Sequence, residues 1–312
     1  MKGGYTGRYL TIDLSERSWA IEETPGWLIK DYLGGRGFGV ALLREQITKD
    51  PFSPDMPLVI ATGPLVGTPS PTSGRFSVVS RSPLTGTIFD CSVGGRFGTR
   101  LKKAGFDMVV ITGASNEWVM LEITNEGVSF KPAGNMAGLP TGDIFKGLEK
   151  DISSAIIGPA GERLVRFASI VFDGHYLAGR GGLGAVMGAK HLKMITVRGG
   201  GNVGVYSDEK LKKARENVMR LLRATPAIFG EFGLSEFGTA ALVDLIHARR
   251  MEPTMNFRRS FFPGAGKYSG YRMKVSYDTK KTGCSNCPIL CKKKGRKGEV
   301  IPEFETASHF GA

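Results

Sequence analysis

Leu58-Val59-Ile60-Ala61-Thr62-Gly63-Pro64-Leu65-Val66-Gly67-Thr68, followed by Pro71-Thr72-Ser73-Gly74-Arg75-Phe76-Ser77-Val78-Val79-Ser80, is the stretch that decides the fold class. Two apolar, β-branched runs, each too short for a helix, are separated by glycine, proline and serine. Leu58–Ala61, residues 76–80 and Met108–Thr112 therefore read as strands, with a helix over 98–104 between the last two. Upstream, residues 9–14 and 19–22 form two strands around a polar turn. A helix over 27–33 is stopped by Gly34-Gly35, and a second covers 40–46. Downstream, Val119–Ile123 and residues 128–131 flank Asn125-Glu126-Gly127, a hairpin signal. Residues 144–150 are helical, and 155–157, 167–171 and 194–197 add strands. The character changes at Gly199-Gly200-Gly201, which reads as a linker. Beyond it, Asp208–Arg223 with Ser207 as N-cap, and residues 239–249, have helical periodicity. The expected fold class is α+β: a β-rich domain over 1–200, then the start of an α-helical domain over 201–312.

Composition narrows the function classes. The 44 glycines in 312 residues are about twice the usual share and are clustered without period, which excludes collagen and indicates tight turns. A net charge of +13 calls for an anionic partner or for compensating acid elsewhere in a longer polypeptide. No apolar leader opens the chain and no apolar run reaches membrane-span length, so the expectation is a cytoplasmic protein with no membrane partner.

Three of the four cysteines lie in Cys284-Ser285-Asn286-Cys287-Pro288-Ile289-Leu290-Cys291, a C-x2-C-x3-C spacing. Three thiols so close suit one inorganic centre in a reducing compartment. With no second CxxC pair, a 4Fe–4S cluster fits better than zinc, and a fourth ligand is required. Cys91 is either that ligand or a small buried residue, and its surroundings favour the latter. The run Lys292-Lys293-Lys294-Gly295-Arg296-Lys297 is either a solvated loop or a docking patch for an acidic electron carrier. It lacks the interleaved aromatics of a nucleic-acid reader. Glycine-rich turns at 63–67, 94–98 and 178–184 let main-chain N–H groups approach a phosphate or heterocycle, and Arg75, Arg96 and Arg180 lie beside them. Gly94-Gly95-Arg96-Phe97-Gly98 leads into a helix, a place suited to an anion.

These segments occur in a fixed order together with Ser82-Pro83-Leu84-Thr85-Gly86, Gly158-Pro159-Ala160-Gly161-Glu162, Asp173-Gly174-His175 and Ala178-Gly179-Arg180-Gly181-Gly182-Leu183-Gly184-Ala185-Val186-Met187-Gly188. As a set, along nearly the whole chain, they resemble the aldehyde:ferredoxin oxidoreductases. The resemblance implies that the first domain is a base for a tungsten or molybdenum bis-pterin, beside a 4Fe–4S cluster that passes electrons to ferredoxin. It implies Arg75 between cluster and pterin, and pterin or phosphate contacts from Ser92, Val93, Gly94, Gly95, Arg180 and Gly181. Cys284, Cys287 and Cys291 become three of four cluster ligands. Glu305 becomes a carboxylate near the metal, a general base or substrate-orienting group. The partners implied are ferredoxin and a small aldehyde, and a homodimer is compatible with them. The family has asparagine where Ser92 stands. It also continues past His309-Phe310-Gly311-Ala312, so the expectation is a fragment, a truncated and non-catalytic cofactor-binding remnant, or one half of a split enzyme.

Overall fold

The computed structural model describes residues 3–311 and divides into two compact units, Met1–Leu211 and Lys212–Ala312. The first half of the first unit contains β1 (Arg8–Asp13), β2 (Ser18–Glu23), α1 (Gly26–Asp31), α2 (Arg36–Leu43), β3 (Leu58–Ala61), β4 (Phe76–Arg81), β5 (Ile88–Val93), α3 (Phe97–Lys103) and β6 (Met108–Thr112). Its strands form one sheet in the order β2-β1-β6-β3-β4-β5, antiparallel except for the β1–β6 pair. β3 is buried along its whole length, as its unbroken apolar run requires, whereas β2 is an exposed edge. Leu28, Phe38 and Leu43 of α1 and α2 pack with Val59 and Val79 on one face.

The second half repeats the plan with different elements. β7 (Val119–Ile123), β8 (Val128–Pro132), α4 (Thr141–Lys146), β9 (Ser153–Ile156), α5 (Pro159–Glu162), β10 (Ile170–Phe172), β11 (Tyr176–Ala178), α6 (Leu183–Ala189) and β12 (Leu192–Val197) follow. They form a second sheet, ordered β11-β10-β9-β12-β7-β8, with β7 and β12 parallel. Phe76 of β4, Phe97 of α3 and Phe172 of β10 meet with ring centroids 5.0–5.5 Å apart, joining the two halves through a buried aromatic cluster.

The expected α+β class is the one observed, but several elements depart from the sequence expectations. β5 and β11 were not expected as strands; β5 reads Ile-Phe-Asp-Cys-Ser-Val, with polar groups that mask its pairing with β4. The glycine-rich segment at 178–188 is a buried helix, α6, over Leu183–Ala189. Its small residues let α6 approach α5 backbone to backbone. The second early helix starts at Arg36 rather than 40, capped directly by Gly35. Gly199 and Gly201 pack against the end of α3, where Gly201 N–H donates to the Lys103 carbonyl at 2.9 Å, so this stretch is not a free tether.

α7 (Asp208–Arg223) forms where its periodicity places it, with the Ser207 hydroxyl accepting from Lys210 N–H at 3.2 Å. The second unit then holds α8 (Pro226–Phe229), α9 (Leu234–Phe237), α10 (Ala241–Ala248), α11 (Gly270–Tyr277), the hairpin β13 (Lys280–Thr282) and β14 (Lys292–Lys294), and α12 (Phe304–Ala307). Val243, Ala265, Met273, Ile301 and Ala307 form its small core.

Candidate functional site

The ends of three strands and the start of one helix surround a cleft of about 350 Å³ in the first unit. β3 runs out into Thr62-Gly63, β4 begins just after Arg75, and β5 ends at Ser92-Val93. Pairing sets Ser77 opposite Ser92. Gly34, Gly35 and Gly63 line the cleft with Arg36, Arg75, Ser77 and Ser92. Gly34 must be glycine: a Cβ there would lie 2.6 Å from the Thr62 carbonyl oxygen. Arg75 donates from Nε to Ser92 Oγ at 2.9 Å and from Nη2 to the Ser92 carbonyl at 2.6 Å. Arg36 Nε lies 2.9 Å from Asp90 Oδ2. These exposed contacts add little stability. Their effect is to hold two guanidinium groups at the mouth of a glycine-lined cleft, an arrangement suited to a phosphate-bearing, hydrogen-bonding ligand.

Beneath this floor lies a buried ion pair. Lys102 Nζ bonds Asp107 and donates to the Gly63 carbonyl at 3.2 Å and to Thr62 Oγ1 at 3.4 Å. Asp107 accepts from the N–H groups of Thr6 and Gly7 at 3.0 and 2.8 Å. Both side chains are fully buried. Burial pushes the Lys102 ammonium below its ordinary pKa, and the Asp107 charge opposes that shift.

Of the residues expected at a pterin, Arg75 and Ser92 line the cleft and bond each other; Val93, Gly94, Gly95, Arg180 and Gly181 are not among its lining residues. The turn at Gly94-Gly95 has its own anion. The buried Asp173 carboxylate accepts from Arg96 N–H at 2.7 Å and from Ser154 N–H at 3.2 Å. Gly95, at φ +96°, leaves room for it: a Cβ there would sit 2.7 Å from Asp173 Oδ2. The Arg96 N–H at the start of α3 is thus already bonded from within the chain. Arg180 is exposed, and its carbonyl accepts from the Cys91 thiol at 3.2 Å. Cys91 is the buried small residue its surroundings suggest, with its thiol pKa raised chiefly by burial. The sequence reading missed Gly34, Arg36 and Ser77. A signal was present, since Gly34-Gly35-Arg36 repeats the Gly94-Gly95-Arg96 tripeptide.

In the second unit, β13 and β14 pair Lys280–Thr282 against Lys292–Lys294 and close a loop carrying all three clustered cysteines. Cys287 N–H donates to the Cys284 carbonyl at 3.2 Å. The Cys291 thiol is pushed up first by burial, then by Glu303 and the other two thiols, with Lys293 opposing. The donor chemistry suits a thiophilic metal or cluster. Among the described residues, however, no three His, Cys, Asp or Glu groups stand close enough to hold an ion. Both sequence readings of the basic run need correction in its first half. Lys293 is 5% exposed and Lys292 is paired with Glu303; only Lys294, Arg296 and Lys297 are left toward solvent. Glu305 is exposed on α12, and its carbonyl lies 3.0 Å from His309 Nδ1.

The family model described as aldehyde ferredoxin oxidoreductase, N-terminal domain, matches residues 9–199, and that for domains 2 and 3 of the same enzyme matches 213–312. The chain belongs to the aldehyde ferredoxin oxidoreductase family. It is 39% identical over 320 residues to the tungsten-containing aldehyde ferredoxin oxidoreductase of Pyrococcus furiosus, covering 99% of this chain and 53% of that protein. The protein of the same description from Thermococcus kodakarensis is 38% identical with the same coverage. An aliphatic sulfonate oxidoreductase, WOR-like subunit, of Pyrococcus furiosus is 28% identical over 98% of this chain and 53% of its own length. The chain thus spans about half the length of the curated relatives it matches. A solved active site complex BamBC of benzoyl coenzyme A reductase, in complex with 1,5-dienoyl-CoA, superposes with a TM-score of 0.82 at 29% identity, covering 95% of this chain and 48% of that one. The family match spans the cleft and the thiol loop alike.

Proposed function

We propose that this chain forms the cofactor-binding part of an enzyme that oxidises a small aldehyde to a carboxylic acid and delivers the electrons to ferredoxin. The observation that carries this reading is the cleft in which Arg75, locked by two bonds to Ser92, faces a floor of glycines. A tungsten (or molybdenum) bis-pterin would supply the two-electron oxidation, and a 4Fe–4S cluster the one-electron route to the acceptor. The relatives' names, which call them tungsten-containing, support the tungsten assignment.

The chain's own groups have distinct tasks. Arg75 and Arg36 would bring positive charge to the phosphates of a bound pterin, and Gly34, Gly35 and Gly63 would leave its approach to the main chain free of side chains. Ser92 is shorter than the asparagine of the family; here its hydroxyl orients Arg75 instead of reaching outward. Val93, Gly94, Gly95, Arg180 and Gly181 take their role at the pterin from family resemblance alone. Cys284, Cys287 and Cys291 would supply three thiolates to the cluster. Glu305 offers an exposed carboxylate that can accept a proton from water. Lys294, Arg296 and Lys297 provide the charge that an acidic carrier would meet.

The test is anaerobic expression with tungstate, followed by metal analysis and fluorescence of the oxidised pterin. The wild-type chain should retain pterin with tungsten or molybdenum. Arg75→Ala should bind it about 10- to 150-fold more weakly, since charge-assisted hydrogen bonds contribute roughly 1.5–3 kcal/mol. Equal pterin in both proteins would remove the cleft from the reading. Iron-free protein with stoichiometric zinc would remove the cluster.

A further inference from the structure

Lys293 belongs to the basic run but not to its surface. It is 5% exposed, and Nζ donates to the Leu290 carbonyl at 2.7 Å and to the Ser235 carbonyl, on α9, at 3.1 Å. Among the described residues no carboxylate forms an ion pair with it. Its stem passes Gly238, where a Cβ would lie 3.3 Å from Lys293 Cγ and 2.6 Å from the Cys291 carbonyl oxygen. A buried ammonium that bonds two main-chain carbonyls acts on the backbone. That backbone needs holding: Leu290, immediately before Cys291, has φ +51°, where a branched side chain is strained.

We propose that Lys293 is the positioning residue of the thiol loop: its bond to the Leu290 carbonyl holds Leu290 left-handed and thereby sets how Cys291 meets Cys284 and Cys287 around a thiolate-bound metal. Its charge also offsets the negative charge that three thiolates bring together. The inference rests on the thiol loop being a metal-binding element, as read above.

Cobalt(II) tests both parts on the full chain with reduced thiols, because thiolate ligation gives a charge-transfer band in the near ultraviolet. The wild-type chain should show the band. Lys293→Met should weaken cobalt affinity by about 10- to 100-fold, the usual effect of losing a residue that orients a metal ligand. Adding Leu290→Gly should restore affinity to within a few-fold, because glycine takes a positive φ without a side-chain clash. Absence of the band in the wild-type chain would remove the metal-binding reading itself, and the inference with it. A wild-type band left unchanged by Lys293→Met would overturn the positioning role alone. So would a loss that Leu290→Gly fails to repair. Near-ultraviolet dichroism is recorded for each variant. Collapse of the second unit in Lys293→Met would make Lys293 a core residue and would equally overturn the proposal.

Discussion

Lys190 ends its side chain inside the first unit, donating to the Pro54 and Gly113 carbonyls at 2.7 and 3.1 Å without an ion pair among the described residues. Burial lowers its pKa to about 8. Between pH 8 and its ordinary pKa near 10.5, the unfolded chain binds a proton that the folded chain has released. Stability therefore rises with pH across that window and is insensitive to this group below it. The urea midpoint followed by tryptophan fluorescence should rise from pH 8 to pH 10 relative to the same measurement on Lys190→Met. Parallel midpoints in the two proteins would refute the assignment. Lys102 differs because Asp107 meets it, which is why the cleft floor rests on a pair and not on a lone cation.

At the scale of elements, the glycine-rich segment before β12 shows how composition and structure separate. α6 is buried from Leu183 to Gly188, and Gly188 approaches α5 so closely that a Cβ would lie 2.0 Å from the Gly161 carbonyl oxygen. Neither helix can yield without moving its backbone. Gly188→Ala should destabilise the first unit by about 1–3 kcal/mol, the usual effect of overpacking. A melting temperature equal to wild type would show that the two helices separate freely. In the thiol loop the conflict is one of charge, because β13 and β14 set lysines opposite one another, an unfavourable pairing. Glu236 answers it by bonding Lys274 and Lys281, and those contacts hold its carboxyl down to about 2.

For the whole molecule, the division into two units gives separate readouts. Trp19, Trp27 and Trp118 all lie in the first unit, whereas the clustered thiols lie in the second. Asp107→Asn leaves the Lys102 ammonium buried without its counter-charge and should cost about 3–5 kcal/mol. The tryptophan midpoint in urea should fall while the midpoint for alkylation of Cys284, Cys287 and Cys291 stays in place. Both midpoints falling together would show that the units unfold as one. Among the described residues no helix is long and apolar enough to cross a membrane.

The sequence by itself determined the strands with unbroken apolar runs, the capped helix α7, the α+β class and the family, because these depend on local periodicity or on an ordered set of motifs. It also placed Arg75, Ser92 and the three cysteines among the residues of interest. Tertiary structure decided which of them meet. The Arg75–Ser92 bond follows from β4–β5 pairing, and the short alternation Phe89-Asp90-Cys91-Ser92-Val93 of β5 does not by itself name β4 as its partner. Asp173 fills the turn at Gly94-Gly95 from 77 residues away from Arg96. The basic run after Cys291 becomes partly structural because β14 buries Lys293, and no count of lysines reveals which one faces inward. Residue types limit which contacts a chain can make, and packing selects those it does make.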